Sequence, residues 1–529
     1  MDKKGLDRLE KSDARRVFDY FRALCAIPHG SGNTKGVSNY CLAFARNHHL
    51  ECRQDELGNV IVVRSAAEGY EEEEPVIIQG HLDMVCEKES GCPIDFRKDG
   101  LDLYVDGDYL RARGTTLGAD DGIAVAYALA LLEKEDLKAP RLEVVLTVDE
   151  ETGMYGVKGI DVSGLKGKRM LNLDSEDAGI FLCGCAGGLR SEAVFPFERE
   201  QTIGVVCSLS VSGLAGGHSG TEIGKGHANA VKLLGRALRR LHSAGDFRIV
   251  SLKGGNKDNA IPREAHALLV LSGGEIAVFQ KTVSCMEEEF RRQYRSAESG
   301  LCLSFSKEES GAYAFFSEEG AGSFTVLGGA AGSADSPDGR EAGDEADVTW
   351  SVIPADAQRR IETFLFLMPN GVQSMSAELP GLVQTSLNAG ILRTEVNAVS
   401  VSFSVRSSMT AEKQETAEQL AELAALLGGH CESSGDYPAW EYRPESALRE
   451  HLVSTYEEVF GAAPKTEVIH AGLECGLFQE KIRDLDCVSF GPEVEDIHTT
   501  AERLGISSAE NYWRFLLRFL EKKESEYTC

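Results

Sequence analysis

A chain of 529 residues, 42% hydrophobic and 26% charged, has ordinary globular composition and is longer than one core usually serves, so two domains are expected. With 55 Lys and Arg against 84 Asp and Glu, the net charge of -29 repels phosphate backbones and anionic lipid, which argues against nucleic-acid and membrane partners. The N-terminal MDKKGLDRLEKSDARRVFDYF lacks the apolar stretch of a signal peptide, no run of about 18 uncharged apolar residues exists, and the 14 singly scattered Cys read as reduced thiols of a cytoplasmic protein.

The first third alternates helical and strand patterns. Residues 17–26 and 37–45 carry helical spacing, and short apolar runs at 60–63, 76–79, 142–148 and 170–173 read as strands. GIAVAYALALLE, 122–133, reads as a largely buried helix opening directly after GADD. Apolar, non-alternating strands between helices predict an α/β domain with a covered, mainly parallel sheet. Cys183 and Cys185 have no second Cys/His pair nearby and read as small residues in a tight segment.

The middle behaves differently. A strand is expected at 209–212, and helices at about 227–241 and 276–294. Residues 317–345 are rich in Gly, Ala, Ser and acid, and read as a flexible acidic insertion. A strand at 398–405 and a helix at 410–427, closed by Gly428 and Gly429, follow. Helices at 446–460 and 509–522 and a strand at 487–490 return to the first pattern. The expected architecture is an α/β domain of residues 1–190 and 437–529, interrupted by an α+β insert of residues 191–436.

Five places set acids or histidines after apolar strands. In VIIQGHLDMV, His81 and Asp83 lie two apart at a strand end, which turns both to one face. A carboxylate so placed can fix the tautomer of a metal-binding imidazole. In GTTLGADDGIAVA, Asp120 and Asp121 open the buried helix; capping explains one acid, and the flanking glycines allow close approach to something else. LEVVLTVDEETG ends a strand with Asp149, Glu150 and Glu151. A polar loop accounts for these three, and so do cations that offset their repulsion, one Glu binding metal while its neighbour moves a proton. MLNLDSED sets Asp174 after a strand, and SFGPEVEDIHTTAERLG sets His498 after a strand, a Gly-Pro turn and an acidic loop. No periodicity links the five, but the carboxyl ends of strands in an open α/β sheet would gather them. Two His and several acids suit zinc, with cobalt and manganese as alternatives.

These stretches resemble the M20 metallopeptidases, and more closely their aminoacyl-histidine dipeptidase branch. The runs IPHGSGNTKGVSNY, VIIQGHLDMVCEK, GTTLGADDGIAVA, LTVDEETGMYG, LNLDSEDAGIFLCGCAGG, GLAGGHSGTEI, NAIPREA, HAGLECGLF and IHTTAERLGI stand in family order. The resemblance implies hydrolysis of small peptide substrates, Xaa-His dipeptides such as carnosine and other unblocked dipeptides, with two divalent metal ions. By position, His81 and Asp174 would bind one ion, Glu151 and His498 would complete the two shells, and Asp120 would bridge. Glu150 matches the general base, and Asp83 the carboxylate that orients His81. The insert would be a lid in which His218 of GGHSG stabilises the oxyanion and Arg406 holds the substrate carboxylate. Asp121 stands where the family usually has Asn. The long lid leaves open whether it closes alone or borrows from a partner in a homodimer. The alternatives are a tripeptide aminopeptidase, an N-acyl amino acid deacylase, and a non-catalytic peptide-binding relative, the last expected to have lost Glu150 or a ligand.

Overall fold

The structure, a computed structural model, describes residues 3–308, 314–315, 324–325 and 349–527. All but residues 324–325 of the acidic insertion expected at 317–345 lie outside the described residues. The chain forms two compact units, Met1–Cys185 with Pro438–Cys529, and Ala186–Tyr437.

The first unit is built on an eight-stranded sheet. Its strands are β1 (Glu51–Gln54), β2 (Val60–Arg64), β3 (Val76–His81), β4 (Leu142–Thr147), β5 (Arg169–Asn172), β6 (Ile180–Cys185), β7 (Lys465–Ile469) and β8 (Asp486–Ser489), in spatial order β1-β2-β4-β3-β5-β8-β6-β7. The central run β4-β3-β5-β8 is parallel throughout, so four carboxyl ends lie side by side. Parallel strands covered on both faces explain the unbroken apolar runs. Val76, Ile78, Val144, Leu146 and Leu171 face one core, with the helices Arg15–Cys25, Ala119–Glu133, Ala447–Phe460 and Ile506–Glu521. Ile77, Val145, Met170 and Cys185 face another, with Val157, Leu477 and Phe478. Cys183 and Cys185 thus lie on β6 with their side chains in opposite cores, rather than in a tight segment. Ala119–Glu133 is apolar all round and buried from Gly122 to Leu132, as a central helix must be.

A small antiparallel sheet completes this unit, in the order Val494–Glu495, Arg503–Gly505, Tyr109–Ala112, Leu103–Asp106. It holds both ends of the loop that carries His498. Where the chain leaves and returns, Cys185 and Trp440 exchange backbone hydrogen bonds of 2.9 and 3.1 Å.

The second unit is a nine-stranded antiparallel sheet whose longest strands are Val383–Thr394, Ala398–Ser407 and Gly187–Pro196. The helices Ala230–Leu241, Ile276–Gln293, Ala355–Leu367 and Thr410–Leu426 supply Leu234, Phe279, Phe364 and Leu420 to its own core, separate from those of the first unit.

Candidate metal centre

The carboxyl ends of the parallel strands gather most of the acids and histidines expected to act. His81 is the last residue of β3, fully buried at 1% exposed. Its Nδ1 lies 3.0 Å from the backbone oxygen of Asp83 and 3.5 Å from Oδ1. A proton on Nδ1 satisfies that pair and leaves Nε2 bare. Nε2 lies 3.1 Å from Asp120 Oδ1 and 3.8 Å from Asp174 Oδ1. The other oxygen of Asp120 lies 3.1 Å from Nε2 of His498, which is 2.9 Å from Glu151 Oε1. Asp120 therefore faces one histidine with each oxygen. The ligand atoms of His81, Asp120 and Glu151 all lie within 4.8 Å of one another, and so do those of His81, Asp121 and Asp174.

The supporting contacts are as specific. Asp83 accepts Ser31 Oγ at 2.8 Å and the backbone N–H groups of Glu150 at 3.0 Å and Glu151 at 3.3 Å. One carboxylate thus meets the first histidine and both glutamates. Asp149 accepts the N–H of Gly32 at 2.6 Å. Asp121 accepts the N–H of His81 at 3.0 Å, a contact that the amide oxygen of Asn could also make. Glu502, four residues after His498, accepts the N–H groups of Leu117 at 2.7 Å, Ala119 at 2.8 Å and Gly118 at 3.2 Å, tying the two ligand-bearing loops together. Neither Ser31 nor Glu502 stood out in the sequence, although both fall within the runs IPHGSGN and IHTTAERLGI; their acceptors and donors are distant in sequence.

Electrostatically, the cluster is short of positive charge. Burial pushes the carboxyls of Asp121, Glu150 and Asp174 well above the usual range. Burial pushes Asp120 the same way, but its hydrogen bonds to His498 and His81 win and lower it. Hydrogen bonds to Asp120 and Glu151 raise His498 to about 11. His81 is raised well above its ordinary value by Asp120 and Asp83, although burial opposes this. The carboxylates around the two imidazoles call for cations, and two nitrogen and several oxygen donors fit divalent metal.

His218 and Arg406 belong to the second unit. Gly216 and Gly217, at φ 72° and 140°, let the backbone turn tightly before His218, whose N–H donates to Glu222 at 2.8 Å. Nδ1 of His218 accepts the N–H groups of Gly220 at 3.3 Å and Thr221 at 3.2 Å, so its ring proton sits on Nε2. Burial and the charge of Arg406 lower its pKa, which keeps the ring neutral. Arg406 lies on the strand Ala398–Ser407 and bonds Tyr437 Oη at 3.1 Å.

The chain belongs to peptidase family M20/M25/M40, whose pattern it matches over residues 77–522. It is 33% identical, over 98% of its own length and 99% of the relative's, to the cytosol non-specific dipeptidase of Escherichia coli K12. Its fold matches the crystal structure of aminoacylhistidine dipeptidase from Vibrio alginolyticus with a TM-score of 0.84 and 32% identity, covering 98% of each chain. An aminopeptidase from Bacillus cereus shares the fold at a TM-score of 0.53 and 13% identity, covering 96% of this chain and 98% of that one. The family is metal-dependent, in keeping with the donor set. Among the described residues no helix is long and apolar enough to cross a membrane.

Proposed function

We propose that the chain is a cytoplasmic metallo-dipeptidase that hydrolyses unblocked dipeptides, Xaa-His dipeptides among them. The observation that carries the metal reading is Asp120, with Oδ1 turned to His81 and Oδ2 to His498. Asp174 beside the first histidine and Glu151 beside the second complete two ligand sets around that bridge. The substrate reading draws on two nearly full-length relatives, both dipeptidases by name.

Two divalent ions in these ligands, zinc first and cobalt or manganese next, would polarise the scissile carbonyl and acidify water. Glu150 takes the proton of the attacking water and delivers it to the leaving amine; its raised pKa suits a group that must carry a proton. Asp83 keeps Nε2 of His81 free for metal by fixing the proton on Nδ1, and it anchors the turn that carries Glu150. The second unit acts as a lid. In it His218 donates from Nε2 to the carbonyl oxygen as negative charge develops, and Arg406 holds the substrate's terminal carboxylate.

The test is to strip the protein of metal and reload it with zinc, cobalt or manganese. It is then offered carnosine, Xaa-His and Xaa-Leu dipeptides, their amides, tripeptides and N-acyl amino acids. Free-acid dipeptides should be cleaved best and amides poorly, with close to two equivalents of metal retained after desalting. Equal turnover of tripeptides or N-acyl amino acids overturns the dipeptide reading. One equivalent or less, unchanged across metals, overturns the paired-ion reading.

A further inference from the structure

HAGLECG has no part in the chemistry above. Its glutamate, Glu474, is 0% exposed at the head of the short helix Cys475–Lys481. Around it, one layer below the candidate ligands, four neighbouring strands carry polar residues at or near their ends: Thr147, Asn172 and Ser489 close β4, β5 and β8, and Gln79 stands two before the end of β3, none more than 1% exposed. Gln79, Asn172 and Ser489 are register partners across β3, β5 and β8. A polar row inside apolar strands is costly unless each group finds a partner. Glu474 is the partner of two: its Oε2 accepts Gln79 Nε2 at 2.5 Å and Thr147 Oγ1 at 2.6 Å. Asn172 Nδ2 in turn donates to Gln79 Oε1, and Ser489 Oγ donates to the backbone oxygen of Asp174 at 3.2 Å.

The arrangement does not favour the fold by itself. Glu474 makes no ion pair among the described residues, and its Oε1 is buried without a hydrogen-bond partner. Burial pushes its carboxyl up to about 7, and once ionised such a carboxylate destabilises a protein unless positive charge lies nearby. Its neighbours in sequence space say where that charge would be. Gln79 stands two residues before His81, Asn172 two before Asp174, and Thr147 three before Glu150. The charge of Glu474 is felt by Glu150 and Asp174, and His81 acts on Glu474.

We propose that Glu474 is a positioning residue of the metal centre: it locks the ends of β3 and β4, which set His81 and the Glu150–Glu151 turn, and supplies a buried negative charge beneath the cations. This rests on the metal reading given above. Glu474→Gln keeps the shape and one acceptor but removes the charge. Thr147→Val keeps the shape but removes one of the two donors that orient the carboxylate.

Metal-free wild type and both variants are titrated with zinc against a chromophoric chelator, and their melting is followed without metal. Both variants should bind zinc about tenfold to a hundredfold more weakly, the range for residues that support metal ligands. Metal-free E474Q should melt at or above the wild-type temperature, because a neutral amide replaces a carboxyl that is costly to ionise where it is buried. A merely structural carboxylate gives the reverse, earlier melting with unchanged zinc affinity, and that result overturns the proposal. If E474Q does not fold, T147V decides alone. Wild type that retains no zinc defeats the metal reading itself. Unchanged affinity in the variants, beside a wild type holding two equivalents, defeats only the role of Glu474.

Discussion

Asp83 shows how one side chain can organise a site without touching what is bound there. Its two oxygens meet the first histidine, Ser31 and the N–H groups of both Glu150 and Glu151, so the turn is fixed from its backbone and the glutamate side chains are left free for separate work. Glu151 reaches His498, whereas Glu150 is held by burial among charges and makes no side-chain bond to a candidate ligand among the described residues. Glu150→Ala should therefore keep both metals and lose kcat by about two to four decades, the usual worth of a general acid–base group. Metal analysis beside steady-state kinetics checks it: retained activity rejects the proton-carrying role, and lost metal means that the two glutamates have exchanged duties.

At the level of elements, the helix Ala119–Glu133 begins on a carboxylate from the far end of the chain. Glu502, 3% exposed, takes four N–H groups, those of Leu117, Gly118, Ala119 and Asp120, where the loop runs into the helix, a place that leaves backbone donors unpaired. Glu502→Ala strands those buried donors and should cost several kcal/mol, since each buried donor left without a partner costs about 1–3 kcal/mol. Denaturant unfolding of the metal-free protein measures it; a loss under about 1 kcal/mol would show that solvent replaces the carboxylate freely. Such long-range partners explain what the sequence could and could not tell. VII, VVL and ML betray buried parallel strands because both faces are apolar, and the central helix betrays itself by its Ala and Leu content. The strand Gly187–Pro196 escaped notice because its outward positions include Arg190 and Glu192, and Val383–Thr394 because Ser386 and Asn388 sit among its buried residues. The candidate ligands were legible because acids after apolar strands are chemically conspicuous. Ser31 and Glu502 were not, since their worth lies in distant backbone N–H groups that no spacing announces.

For the whole molecule, the separate cores matter most. Every candidate metal ligand falls in the first unit, while His218 and Arg406 fall in the second, which has its own core. Ligand binding stabilises only what it binds. Calorimetry should therefore resolve two transitions, of which zinc moves one. Free zinc at a hundred times its Kd should add about 2.7 kcal/mol to that transition, and a chelator should remove the gain. A single transition that shifts as a whole would mean that the two units unfold together.

The ribosome delivers the first unit in two instalments. β3 to β6 emerge early, with His81, Asp120, Glu151 and Asp174; residues 186–437 follow as one contiguous stretch whose sheet uses no strand from elsewhere. Only then come β7 and β8, His498 and Glu502. Until β8 arrives, β5 lacks its parallel neighbour and the nascent sheet has an open edge at its centre, the kind of edge that invites wrong pairing. The inserted unit can fold during that wait, and the exchange between Cys185 and Trp440 closes the gap once the chain returns. Completion of the centre thus waits until the inserted unit has been made. A chain broken off anywhere before residue 498 lacks the second imidazole, so an unfinished copy reaches the cell without its full ligand set.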